Sequence, residues 1–282
     1  MNVWEAILLG IIQGLTEFLP ISSTGHLTVV GKLMHLISEQ NPEQWTAFIA
    51  VIQLGTVLAV IIYFRKDILN IIFDFITQNL KQRTKYSEQN LNSRLGWLII
   101  IGTIPVGFVG LSLKKIIEGA LTKDLYVIAS SLIGLAILLA IAEKLADLKK
   151  DMEKITKWDA LWVGVAQCFA LIPGSSRSGT TITGGLFLGM NRETAARFSF
   201  LLSIPAVLAS GLLELFEARK FLNPSMAVNL IVATGFAFIF GYMSIDMLLK
   251  YLRKKTTFVF VYYRVALGVL ILILLNSHVI LP

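Results

Sequence analysis

Six long apolar runs constrain this chain more than any other feature: Ala47–Phe64, Leu95–Leu113, Leu125–Ala146, Phe198–Leu215, Met226–Leu249 and Phe258–Leu281. Each comes close to the roughly 20 helical residues that cross a hydrocarbon core of about 30 Å. With 55% hydrophobic and 15% charged residues and a mean hydropathy of +0.73, a soluble domain of 282 residues could not keep a wettable exterior. The expectation is an all-α membrane protein, with residues 1–282 forming one integral-membrane domain.

A net charge of +7 raises the question of nucleic acid. The basic residues lie in short loops between apolar runs, however, which is a topology signal and argues for the bilayer as partner, with no nucleic acid. The single cysteine, Cys168, rules out a disulfide within the chain and any cysteine-rich metal site. No Lys or Arg precedes Lys32, so the charged start of a cleavable signal peptide is missing and the first helix is expected to stay.

Two stretches resemble each other. Trp4-Glu5-Ala6 matches Trp158-Asp159-Ala160, Gly10 matches Gly164, and Gln13 matches Gln167. After a one-residue deletion, Pro20-Ile-Ser22-Ser23-Thr24-Gly25 overlies Pro173-Gly-Ser175-Ser176-Arg177-Ser178. Chance similarity of apolar helices would explain Leu and Val matches, but not Trp, Gln, Pro and paired Ser in one order. The pattern predicts an internal repeat, residues 1–146 and 147–282, as in many transporter folds.

Val3–Leu19 and Trp158–Ile172 each end at a proline followed by Ser and Gly, and each precedes a shorter stretch, Leu27–Ile37 or Thr180–Met190. This predicts two re-entrant helical hairpins, tolerated in a membrane only if their irregular tips are shielded. With two hairpins and six spans, loops 65–94, 144–157, 190–197 and 250–257 share one side and hold 17 Lys and Arg. Loops 114–124 and 214–225, on the other side, hold 5. Eight full spans would erase most of this asymmetry, so the positive-inside rule selects the hairpins and puts both termini outside. Each half then has three crossings, which inverts the second half and lets the two tips meet near the midplane.

The chemistry-bearing residues gather at those tips. Gln13 and Glu17 are spaced i, i+4 on one helix face. An ionisable group in a membrane segment is a functional candidate because its burial is costly. Ser22, Ser23 and Thr24 follow Pro20, while Ser175, Ser176 and Ser178 follow Pro173. Such hydroxyls cap helices, and helix N-termini attract anions. Arg177 adds a planar cation suited to phosphate oxygens; as a structural residue it would need a buried carboxylate, which Glu17 could supply. His26, set beside Ser22 and Ser23 on a helix, is either a cap or a general acid/base; His35 and His278 have no such company. The copies have diverged, Glu17 facing Leu171 and Thr24 facing Arg177, which favours catalysis over symmetric transport. A P-loop reading fails for want of a lysine, and a nucleophile elbow fails at Ser178.

Gln13-Gly-Leu-Thr-Glu17-Phe-Leu-Pro20-Ile-Ser-Ser-Thr-Gly-His26 and Pro173-Gly-Ser-Ser-Arg-Ser-Gly179 resemble the two signature motifs of the undecaprenyl-diphosphate phosphatase (bacitracin-resistance) family. Gln53-x-Gly55-Thr56 and Phe198-Ser-Phe-Leu-Leu extend the likeness along nearly the whole chain. The resemblance implies a bacterial inner-membrane enzyme that hydrolyses undecaprenyl diphosphate to the monophosphate at the outer face, recycling the lipid carrier of cell-wall synthesis. By position it assigns the acidic motif to Gln13 and Glu17, the nucleophile to Ser23 or His26, and phosphate binding to Arg177. It leaves the metal open: a divalent cation, Mg or Ca, fits members with a Glu pair, but Gln13 removes one ligand charge here. A homodimer is a further expectation. The contemplated mechanism has Ser23 attacking the terminal phosphorus and Glu17 or His26 taking its proton, with attack by water or His26 as alternatives. A phospholipid transporter or flippase is the competing class, and a membrane scaffold a third.

Overall fold

The computed structural model describes residues 1–37, 42–113, 124–218 and 224–280. Loop residues 114–123 and 219–223 and the end of the last apolar run, residue 281, fall outside the described residues. Eleven α-helices are described: α1 Val3–Glu17, α2 Ser23–Leu33, α3 Pro42–Tyr63, α4 Arg65–Ile76, α5 Leu91–Ser112, α6 Leu125–Leu145, α7 Lys157–Cys168, α8 Arg177–Phe187, α9 Arg192–Ala218, α10 Pro224–Leu252 and α11 Phe258–Asn276. Six are long and apolar enough to cross a membrane, namely α3, α5, α6, α9, α10 and α11, and they contain the six predicted runs apart from their terminal residues. The chain is a multi-pass, all-helical membrane protein.

The matched triplets near the starts of α1 and α7 do the same physical work. Asn2 and Glu5 cap each other reciprocally at α1, and Thr156 and Asp159 do so at α7. Each capping box satisfies backbone N–H groups that a helix start leaves bare. Trp4 and Trp158 stand exposed beside these caps, as suits indoles at headgroup level.

Small residues then set how closely the helices pack. A Cβ added at Gly10 would lie 2.3 Å from the Ala233 carbonyl oxygen of α10. One added at Gly164 would lie 2.2 Å from the Gly102 carbonyl oxygen of α5. Each of these glycines therefore lets backbone meet backbone, the packing that replaces hydrophobic driving force between membrane helices. In this way α1 is seated on a span from the C-terminal half, and α7 on one from the N-terminal half.

Around the second motif, the segment before α7 and the segment after α8 are drawn together. Lys150 N donates to Gly189 O and Asn191 N to Lys150 O, forming an isolated bridge between Lys150 and Met190. Lys150 also pairs with Asp159 at 2.8 Å. Nearby, buried Glu143 at the end of α6 accepts from Arg192 of α9 and from Thr257 before α11. Thus the segments that lead into α7 and out of α8 lie side by side.

Two differences from the sequence reading are physical. The segment 65–94, read as a basic loop, contains α4, a π-helical turn at Thr77–Lys81 and a 3₁₀ turn at Tyr86–Glu88. Its acidic, basic and apolar residues alternate at helical spacing, with Phe75 packed on Gly96 and Trp97 while Leu69, Phe73 and Leu80 face outward. That is the character of a helix lying in the membrane interface. Second, α2 and α8 begin at Ser23 and Arg177, earlier than Leu27 and Thr180, because the motif serines themselves cap them.

Candidate active site

Each motif makes the same turn. Ser22 takes φ 74°, ψ 96°, and its hydroxyl accepts from Gly25 N at 3.1 Å. Ser176 takes φ 67°, ψ 114°, and its hydroxyl accepts from Gly179 N at 3.2 Å. A non-glycine residue at positive φ is costly and persists only where its surroundings hold it, most often at functional sites. These equivalent caps correct the expected register. Ser22 pairs with Ser176 at the same offset that separates Gly10 from Gly164 and Gln13 from Gln167, so no deletion is needed. Arg177 therefore matches Ser23, not Thr24: the first residue of each short helix is the one that differs most.

Glu17, the last residue of α1, gathers these groups. Its Oε2 accepts from Ser23 Oγ at 2.7 Å and from Gln13 Nε2 at 2.8 Å, and its Oε1 accepts from Arg177 Nη2 at 2.8 Å. The carboxylate is 6% exposed, and all three partners are wholly or partly buried. Ser178 Oγ adds a second tie between the motifs by donating to Leu19 O at 3.0 Å. The two tips, more than half the chain apart in sequence, thus form one cluster.

Arg264 of α11 binds the tips from behind. It is completely buried and donates to Pro20 O at 3.3 Å, Ser175 O at 2.9 Å, Gly174 O at 3.4 Å and Leu132 O at 3.2 Å. Carbonyls of both irregular loops, which lipid could not satisfy, are met by one guanidinium fork. Ser131 Oγ seats the second loop by donating to Pro173 O. Sequence reasoning gave Arg264 no role. The criterion that singled out Glu17, an ionisable residue inside an apolar run, applies equally to it.

A cavity of about 490 Å³ opens beside the cluster. Its polar end is formed by Glu17, Ser23, Thr24, Ser176 and Arg177, with Ser22 and Gln167 contributing. Its other walls are mainly apolar, with Val106 and Leu111 of α5 and Val207 and Leu213 of α9, and also carry Thr46, Gln53, Thr103, Ser210 and Glu214. Arg177 is the one cation on its wall among the described residues. Gln13, Ser175 and Ser178 do not line the cavity; they stand behind the residues that do, buried and supporting the tips.

His26 is placed differently from the expectation. Its Nδ1 donates to Ser22 O at 2.7 Å, since a carbonyl can only accept, and its Nε2 is hydrogen-bonded with the Tyr263 hydroxyl at 2.7 Å. The imidazole stacks on the Tyr263 ring, 5.6 Å between centroids. Thus His26 touches the Ser22 carbonyl rather than a serine hydroxyl, and the cavity wall does not include it.

The donor set does not fit a divalent cation held by the protein. Among the described residues no three His, Cys, Asp or Glu side chains converge. The one carboxylate in the cluster has its oxygens engaged by Arg177, Ser23 and Gln13.

Fold and site together define a class: a polytopic helical membrane protein in which a carboxylate at one helix end meets hydroxyls and a guanidinium at two helix N-termini, beside a mainly apolar cavity. The chain belongs to the family described as Bacitracin resistance protein BacA, which matches residues 6–270. It is 55% identical over 278 residues to an undecaprenyl-diphosphatase of Syntrophobacter fumaroxidans, covering 99% of both chains. It is 47% identical to an undecaprenyl-diphosphatase of Chlorobaculum tepidum over the whole of both chains. To one of Myxococcus xanthus it is 49% identical, across all of this chain and 92% of the other.

Proposed function

We propose that this protein is an undecaprenyl-diphosphatase, hydrolysing undecaprenyl diphosphate to undecaprenyl phosphate and inorganic phosphate and so recycling the lipid carrier of cell-wall synthesis. The observation that carries this reading is the Ser23–Glu17–Arg177 chain of hydrogen bonds on the wall of a mainly apolar cavity. A polyprenyl diphosphate has the matching polarity: an anionic head for Arg177, Ser176 and the α2 and α8 N-termini, and a tail for the walls of α5 and α9.

In the reaction, Ser23 Oγ forms a bond to the terminal phosphorus as the bridging P–O bond breaks, releasing undecaprenyl phosphate. Glu17 takes the hydroxyl proton, since Ser23 already donates to its Oε2. Arg177 and the backbone N–H groups hold the equatorial oxygens as charge shifts to the leaving group. Water then attacks the phosphoserine phosphorus as its bond to Ser23 Oγ breaks; Glu17 returns the hydroxyl proton to Ser23, and the water oxygen with its protons leaves as phosphate. Gln13, Ser22, Thr24, Ser175 and Ser178 position these groups, and His26 anchors α2 to α11 through Tyr263.

A transporter or flippase is the second reading, because internal repeats are common in that class. Purified protein in detergent separates the two. One phosphate released per undecaprenyl diphosphate consumed is expected, with undecaprenyl phosphate as the other product; lipid left intact would refute the hydrolase.

The finer architecture belongs to the same proposal. The α1–α2 and α7–α8 pairs are re-entrant hairpins of an inverted repeat, 1–146 and 147–282, and the site opens to the periplasmic face of the inner membrane. The capping boxes, the Gly10 and Gly164 contacts and the Lys150–Met190 bridge support this. In a Cys168→Ser background, Trp4→Cys is expected to react with an impermeant maleimide on intact cells, and Trp158→Cys only after permeabilisation. Labelling of both from one side would overturn the inversion.

A further inference from the structure

Gln167 is the most prominent polar group that the proposed chemistry leaves unused. It lies next to the end of α7, is 1% exposed, and borders the cavity that Ser23 and Arg177 line. Neither its Nε2 nor its Oε1 has a hydrogen-bond partner among the described residues. About 90% or more of buried polar groups in folded proteins are bonded, so an amide bare at both ends calls for an occupant that supplies both partners.

Comparison with the first motif shows why it is bare. In Gly10-x-x-Gln13-x-x-x-Glu17, the Gln13 amide donates to Glu17 one helical turn on, at 2.8 Å. The corresponding Gly164-x-x-Gln167-x-x-x-Leu171 ends in a leucine, which offers no acceptor. The helix cannot back away from the cavity to hide the amide, because Gly164 already lies backbone to backbone against Gly102. The amide is therefore held at the cavity wall, beside groups suited to phosphate, with two N–H donors and one acceptor free.

We propose that Gln167 is a substrate-binding residue that grips the diphosphate head: Nε2 donates to a phosphoryl oxygen, while Oε1 accepts from a water held beside that phosphoryl group. A fully ionised phosphate has only acceptors, so the carbonyl end of the amide needs the water. Arg177 supplies charge to the head and Gln167 direction, without adding a second cation that would also hold the product. The proposal rests on the diphosphatase reading.

The test compares Gln167→Leu and Gln167→Glu with wild type in detergent, measuring KM for undecaprenyl diphosphate and the thermal unfolding midpoint. A hydrogen bond to a charged partner predicts a rise in KM of about tenfold or more for Gln167→Leu. Its unfolding midpoint is expected to hold or rise, because the leucine removes an unsatisfied buried amide. Gln167→Glu sets a carboxylate against the head and should raise KM further. A Gln167→Leu enzyme with KM within about twofold of wild type overturns the proposal, since that is less than one such bond contributes. So does a KM that rises only alongside a fallen midpoint, which marks the residue as structural. Protection from unfolding by a non-hydrolysable methylene-diphosphonate analogue of the lipid provides an independent reading. If wild type released no phosphate, the reaction assignment would fail, while loss of that protection in Gln167→Leu would still support the contact and retention of it would refute it.

Discussion

Ser23→Ala is expected to lower the rate of phosphate release by about 10⁴-fold or more while leaving the protein folded, because it removes the attacking atom itself. The fold should survive for a local reason. Glu17 loses one of its three donors but keeps Gln13 and Arg177, and the cap of α2 belongs to Ser22. Activity would be followed by phosphate release in detergent, and folding by circular dichroism and the unfolding midpoint. A folded Ser23→Ala enzyme within about tenfold of wild type would rule out the serine nucleophile, being far above what survives loss of an attacking group. It would favour direct attack by water activated at Glu17.

Arg177→Ala is expected to cost about 10³-fold, the range found when a principal donor to a transferring phosphoryl group is removed. Two losses combine here. The cavity loses its one wall cation among the described residues, and Glu17 loses the partner of its Oε1. Removing one member of a buried pair typically costs about 3–5 kcal/mol of stability, so the alanine variant needs a companion. Arg177→Lys keeps the charge and pairing with Glu17 but not the planar fork, and should regain stability with only part of the rate. Near-full activity in a folded Arg177→Ala protein would remove the basis for the whole site.

What could be read in the sequence follows from the range of the interactions. The six spans were legible because each is written in one contiguous run. Glu17 and Arg177 stand out because charge is scarce in such a chain, and the sequence already allows their pairing as a structural alternative. The register of the second motif was not legible: matching Pro20 to Pro173 forced a deletion that the caps at Ser22 and Ser176 remove. A proline catches the eye in a sequence, but the hydrogen-bonded turn sets the correspondence. The partner of His26 was out of reach for a different reason, since Tyr263 comes from the last helix and only folding brings it to the imidazole. Helix α4 was hidden by its charges, which read as a solvated loop until Phe75 is seen packed on Gly96 and Trp97.

Arg264 has a consequence beyond holding the loops. Its guanidinium is answered by backbone carbonyls, and among the described residues no carboxylate lies within ion-pair distance of it. Glu17 and Arg177 cancel each other, so the cluster at rest carries one positive charge in excess, in surroundings where charges are weakly screened. Among the described residues, the tips have in effect been assembled without one counter-ion. An arriving diphosphate supplies it, so that the substrate completes the electrical balance of the fold and the released phosphate upsets it again.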